Sequence, residues 1–185
     1  MRHLNFPIVL MLALVLAVVA AAPAFAIDNT ATGDIKGVSG DLTDSNTFTI
    51  NASTLALTKT AWLTDGTQLT SGTSVPSGTQ VHFMIYVDNT TAVPVTNVNL
   101  SDPLAAGFTY TANSIRVDNT VATGATEAAI YAAVSTATVL DDGTDATDVA
   151  GIAGTTISAG STTSNTQLDI AGSAVWAILF EVTVN

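Results

Sequence analysis

The chain of 185 residues contains no cysteine. No disulfide can staple it, and thiolate metal sites and cysteine nucleophiles are closed to it. Basic residues are nearly as scarce. Arg2, Lys36, Lys59 and Arg116 stand against fifteen Asp and Glu, giving a net charge of −11. Phosphate recognition needs Lys and Arg, so this balance argues against nucleic acid and anionic lipid as partners. Histidine occurs only at His3 and His82. Aromatic residues make up 6% of the chain and do not cluster into a platform of the kind that sugar recognition uses. After the first long apolar run there is no second one.

That first run reads as an export signal. "MRHLN" is a basic start, "FPIVLMLALVLAVVAAAP" is apolar, and Ala24–Phe25–Ala26 is a small-residue cleavage site. The expectation is a signal peptide over 1–26, with the mature chain beginning near Ile27 and no membrane attachment after cleavage. The run is also long enough to span a bilayer, so an uncleaved anchor is the alternative. The expected address is extracellular or the cell surface. An acidic, cysteine-free chain there depends on its core for stability, and its charge suits solubility and cation binding.

Residues 27–54 read as a leader. Ile27–Asn46 is rich in Gly, Asp and Thr and predicts a flexible segment. "TFTINASTLAL" then alternates apolar and polar residues like a strand. From 55 to 185 short alternating runs recur with turn signals about every ten residues, the pattern of an all-β, Greek-key sandwich. In "VHFMIYVDN", Val81, Phe83, Ile85 and Val87 share one face. His82, Met84, Tyr86 and Asp88 share another that is not strongly polar, so a second surface is expected against it. Trp176, Ile178, Phe180, Val182 and Val184 have one parity in the last strand. "TEAAIYAAVS" breaks the pattern. Thr126 predicts an N-cap, Glu127 lies in the first turn, and Ile130, Tyr131 and Val134 share a face of one short helix.

Several elements occur in a set order: "LTKTAW", "VPSGTQ", "FMIYVDN", "NVNLSDPL", "AGFTY" and "AILFEVTVN". In that order the chain resembles a conserved repeat domain of bacterial and archaeal cell-surface proteins, the "domain of unknown function eleven" family. The resemblance covers roughly Leu55 to Asn185, apart from Thr120–Thr138. Ala105 stands where the family pattern commonly has Pro, and the short helix looks like an insertion. The resemblance implies an immunoglobulin-like sandwich with a structural or adhesive role and no enzymatic activity.

The chemistry-bearing residues agree with an expectation of no enzyme. His82 lies in mid-strand, and no nucleophile-elbow sequence accompanies it; packing near Met84 and Tyr86 is expected. No cofactor is required. Asp141, Asp142, Asp145 and Asp148 in "VLDDGTDATDVAG" offer oxygen ligands for Ca2+, without the spacing of an EF-hand. The other reading of that run is a solvated turn, since Asp-Gly is turn chemistry. Lys59 and Asn185, in first and last strands, form a candidate isopeptide pair, with Glu181 or Asp169 as the assisting acid. Asn51 and Asn89 begin glycosylation sequons.

The functional expectation is a secreted structural subunit that self-associates into a surface filament or layer. Its leader strand would add to a neighbouring copy, with Phe48, Ile50, Leu55 and Leu57 as inserted side chains. Such a head-to-tail contact does not close and grows a fibre. The alternative is a monomeric adhesion or carbohydrate-binding module, with or without calcium, binding glycans or other surface proteins. That module would use exposed aromatics such as Trp62, Tyr86 and Tyr110.

Overall fold

A computed structural model of the chain describes residues 25–35, 42–52, 55, 57–161 and 163–185. Of the export signal expected over 1–26, residues 1–24 lie outside them, while Phe25 and Ala26 are described as the start of a strand. The chain divides into two units, Met1–Thr54 and Leu55–Asn185.

In the first unit, β1 (Phe25–Ile35) and β2 (Leu42–Ala52) form an antiparallel ladder. Its register is unbroken from Phe25↔Ala52 to Ile35↔Leu42. Within Ile27–Asn46, expected as a flexible leader, residues 27–35 and 42–46 are extended in this ladder, and 36–41 lie outside the described residues. Asp and Gly there read as breakers, yet Ile27, Thr30, Thr32, Thr43, Thr47 and Thr49 are β-branched and favour extended backbone.

The second unit is a sandwich of two antiparallel sheets. The larger runs β4 (Gln68–Leu69), β3 (Leu57–Leu63), β5 (Gln80–Asn89), β12 (Ala174–Val184), β7 (Phe108–Tyr110). Strand β8 (Arg116–Asp118) also pairs with β12. The smaller sheet runs β11 (Leu168–Ile170), β6 (Val95–Pro103), β10 (Thr156–Gly160), β9 (Ala150–Ala153). The chain crosses between sheets after β5, β6, β8 and β11, so strands distant in sequence become neighbours. This is the connectivity of an immunoglobulin-like Greek-key sandwich.

Period-two alternation on β5 and β12 sends Val81, Ile85, Val87, Trp176, Ile178, Phe180 and Val182 to the inner face. There they meet Leu100, Ile157, Ala159, Leu168 and Ile170. The opposite face of the larger sheet is not left to water. Trp62, Met84, Val175, Ala177 and Leu179 pack beneath a helix, α1 (Glu127–Ser135), through its buried Ile130, Tyr131 and Val134. Thr126 caps that helix, its hydroxyl accepting from the Ala129 amide at 3.3 Å. Strand β12 is thus covered on both sides. Hence six consecutive residues, Val175–Phe180, are buried, and its sequence is apolar almost throughout.

Asn89 closes the turn between β5 and β6. It is fully buried, donating to the Val93 and Ala171 carbonyls and accepting from Thr91. With both amide groups engaged, its sequon is closed to modification in the folded chain.

Candidate binding groove

The two sheets differ in length. Strands β9, β10 and β11 have 4, 5 and 3 residues, whereas β5 and β12 have 10 and 11. The smaller sheet therefore cannot cover all of the larger one. At the end formed by the start of β5 and the finish of β12, inner-face residues stay partly exposed. Ala61, Leu69, Phe83, Phe108 and Val184 pack on the core without being sealed by it.

The uncovered end is a chain of three cavities. One of about 680 Å³ lies along β3 and β4, lined by Lys59, Ala61, Leu69, Ser71 and Phe83. It shares Ala61, Leu69 and Phe83 with a second of about 250 Å³, which reaches Val75, Val81, Phe108 and Val184. Beyond Phe108 a third of about 390 Å³ continues past Tyr110 to Leu104 and Ile152. The groove therefore crosses the sheet from its β4 edge to its β7 edge, with apolar side chains along most of its floor.

Aromatic rings set its shape. Phe83 meets Phe108 edge-on at 5.2 Å and Phe180 at 5.9 Å between centroids. Lys59 stands at the β3 end, its ammonium 4.5 Å from the Phe83 ring centre and 2.6 Å from Asp102 Oδ2. That ion pair joins β3 of one sheet to β6 of the other at the groove mouth. It is partly open to solvent, with Lys59 exposed by 40%, so its worth is at most about 1 kcal/mol.

The outer edge of β3 lies beside the first cavity. Strand β4 pairs only with Ala61 and Trp62. Among the described residues no strand pairs with the outer edge of Leu57–Thr60. Leu57, at the start of that edge, is 61% exposed.

The residues singled out in the sequence distribute as follows. Lys59 and Asn185 are not neighbours. Lys59 is level with Ile85, and Ile85 with Ile178. Asn185 lies past the far end of β12, about 20 Å further on at a strand's rise. There its side chain bonds Thr109 and the Ala106 carbonyl. The isopeptide expectation is corrected accordingly, because pairing order sets Lys59 against Asp102. Neither Glu181 nor Asp169 assists it: Glu181 bonds Gln80 and His82, and Asp169 bonds Asn97 and Gln167.

The four residues expected to insert lie on different elements. Phe48 and Ile50 are positions on β2, level with Asn29 and Ile27. Leu57 opens β3, paired with Val87, and Leu55 packs on its own core.

The aspartates turn inward on their own loop. Asp141 accepts from Gly143 N, Asp145 from Thr147, and Asp148 from Asp141 N. The hydrogen bonds from Thr147 hold the Asp145 carboxyl below its ordinary pKa. Asp142 reaches out instead, accepting from the Tyr110 hydroxyl at 2.7 Å and from Asn113 N. Burial, and next the Asp142 bond, push the Tyr110 phenol up to about 12. A β-carbon on Gly151 would lie 2.2 Å from the Gly143 carbonyl oxygen, so glycine there lets the loop press against β9. Among the described residues no three His, Asp or Glu side chains are placed to share a metal ion.

His82 has both ring nitrogens engaged, at 2.8 Å from Tyr131 Oη and 3.3 Å from Glu181. The aromatics expected to be exposed are not. Trp62 is buried and stacked on Tyr131 at 4.3 Å, Tyr86 donates to Glu127, and Tyr110 is tied to Asp142. Phe83, Phe108, Leu69 and Asp102 were not singled out from sequence as site residues. Their alternation marks them as inner-face residues, but only the lengths of other strands leave the groove open.

Fold and site thus define an immunoglobulin-like β-sandwich with an open apolar end. No family model matches the chain, and no curated protein matches it. Among solved structures it is similar to the collagen-binding domain of Erysipelothrix rhusiopathiae surface protein RspB. The identity is 13% and the TM-score 0.38, over 86% of this chain and 44% of that one. The chain therefore spans less than half the length of that structure.

Proposed function

We propose that the chain is an exported, non-enzymatic structural module that joins copies of itself through the open end of its sandwich. The observation that supports this most directly is the continuous apolar groove beside an unpaired stretch of β3. An apolar channel next to free backbone donors and acceptors is suited to an extended polypeptide: the backbone extends the sheet and alternate side chains fill the channel. The donor and the acceptor surface lie on different parts of the chain, so the contact is head to tail and propagates into a filament or layer.

Deleting Asp44–Ser53 tests this. Electron microscopy and light scattering of the exported protein should show polymers for the full chain. The deleted chain should be a folded monomer. Polymers of unchanged length after the deletion would reject strand addition by the leader. A full chain that stays monomeric but retains an extracellular protein on a surface would favour the adhesive alternative.

A further inference from the structure

Resting on the self-assembly proposed above, we infer that the neighbour supplies strand β2, and that it adds along the outer edge of β3 at Leu57–Thr60. Two unfinished elements are complementary here. Among the described residues β1 and β2 form a sheet of two strands, and such a hairpin is at best marginally stable in water without a third strand or a packing partner. Among the described residues strand β3 has a free edge with an exposed Leu57 at its start, and next to it a cavity of about 680 Å³ in which Ala61, Leu69 and Phe83 are flanked by polar side chains. Phe48 and Ile50 alternate with Thr47 and Thr49 along the sequence of β2. Charge agrees. Strands β1 and β2 carry Asp28, Asp34 and Asp44 and no Lys or Arg, while Lys59 stands at the groove mouth.

The chain's own β2 is the obvious competitor: four residues, 53–56, separate Ala52 from Leu57, and hairpins also close with loops of about that length. Cross-linking separates the two sources of the strand.

The cysteine-free chain makes the test clean. Thr49→Cys on β2 and Thr58→Cys on β3 are made as separate chains and as a double variant, each first shown by circular dichroism to remain folded. The single variants are mixed and treated with a short bismaleimide. The expected main product is a covalent dimer joining one variant to the other, seen on denaturing gels and located by peptide mass. Cross-linked monomers alone from the double variant would overturn the inference in favour of the chain's own β2. Dimers of Thr49→Cys with itself would overturn it in favour of hairpin-to-hairpin pairing. Polymers without the mixed dimer would overturn this edge and leave self-assembly standing. Absence of polymers from the unsubstituted chain would reject both.

Discussion

Tyr110 ties the Asp-rich loop to the larger sheet through its bond to Asp142, and it also accepts from Ser114 N at 3.5 Å. Tyr110→Phe keeps the ring in place and leaves a carboxylate oxygen without its donor. The expected loss is about 1–2 kcal/mol, read as a lower urea midpoint with unchanged slope. Asp145→Asn should leave the midpoint unchanged, because its bonds stay within one exposed turn. The Tyr110 phenol also sets an alkaline response. Its pKa rises from 10.0 to about 12 on folding, so folding favours the neutral form. That contribution is complete below pH 10 and is lost as pH rises towards 12; the Phe variant should show a shallower alkaline decline in thermal melts. The loop's carboxylates are bonded to its own amides and to Tyr110, so millimolar calcium is expected not to move the melting temperature. A rise of several degrees would instead establish a metal site.

At the scale of elements, α1 covers the outer face of the larger sheet. Ile130 is 1% exposed and packs on the outer face of the larger sheet. Ile130→Ala should cost about 2–4 kcal/mol and weaken the near-ultraviolet signal of the stacked Trp62–Tyr131 pair. This helix was legible in the sequence: its cap, its first-turn acid and its buried trio all lie within nine residues of one another. So were the faces of β5 and β12, because alternation is local. Strand β1 was not, since Asp and Gly within it mimic a loop, whereas the second half of β2 falls in the strand-like run from Thr47. The groove was not legible either. It arises from β9, β10 and β11 being shorter than the strands they cover, and from a pairing order that places Asp102 rather than Asn185 beside Lys59. Neither is encoded in any contiguous run.

At the scale of the whole molecule, the sign of the salt dependence separates a second copy from a cationic partner. Fifteen acidic residues against four basic ones mean that two copies repel each other at long range. At 0.01 M salt that repulsion reaches about 30 Å, whereas at 0.15 M it is screened beyond about 8 Å. The groove contact itself is mainly apolar, with Lys59 as its one cation among the lining residues, so screening removes little attraction from it. Self-association should therefore strengthen as salt rises from 0.01 to 0.15 M. Sedimentation of one preparation across that range should show monomer giving way to polymer. A basic partner drawn to the acidic surface would behave in the opposite way, binding best at low salt and dissociating as the charges are screened. If raising salt dissolved the polymers, apolar strand addition would be the wrong driving force for assembly.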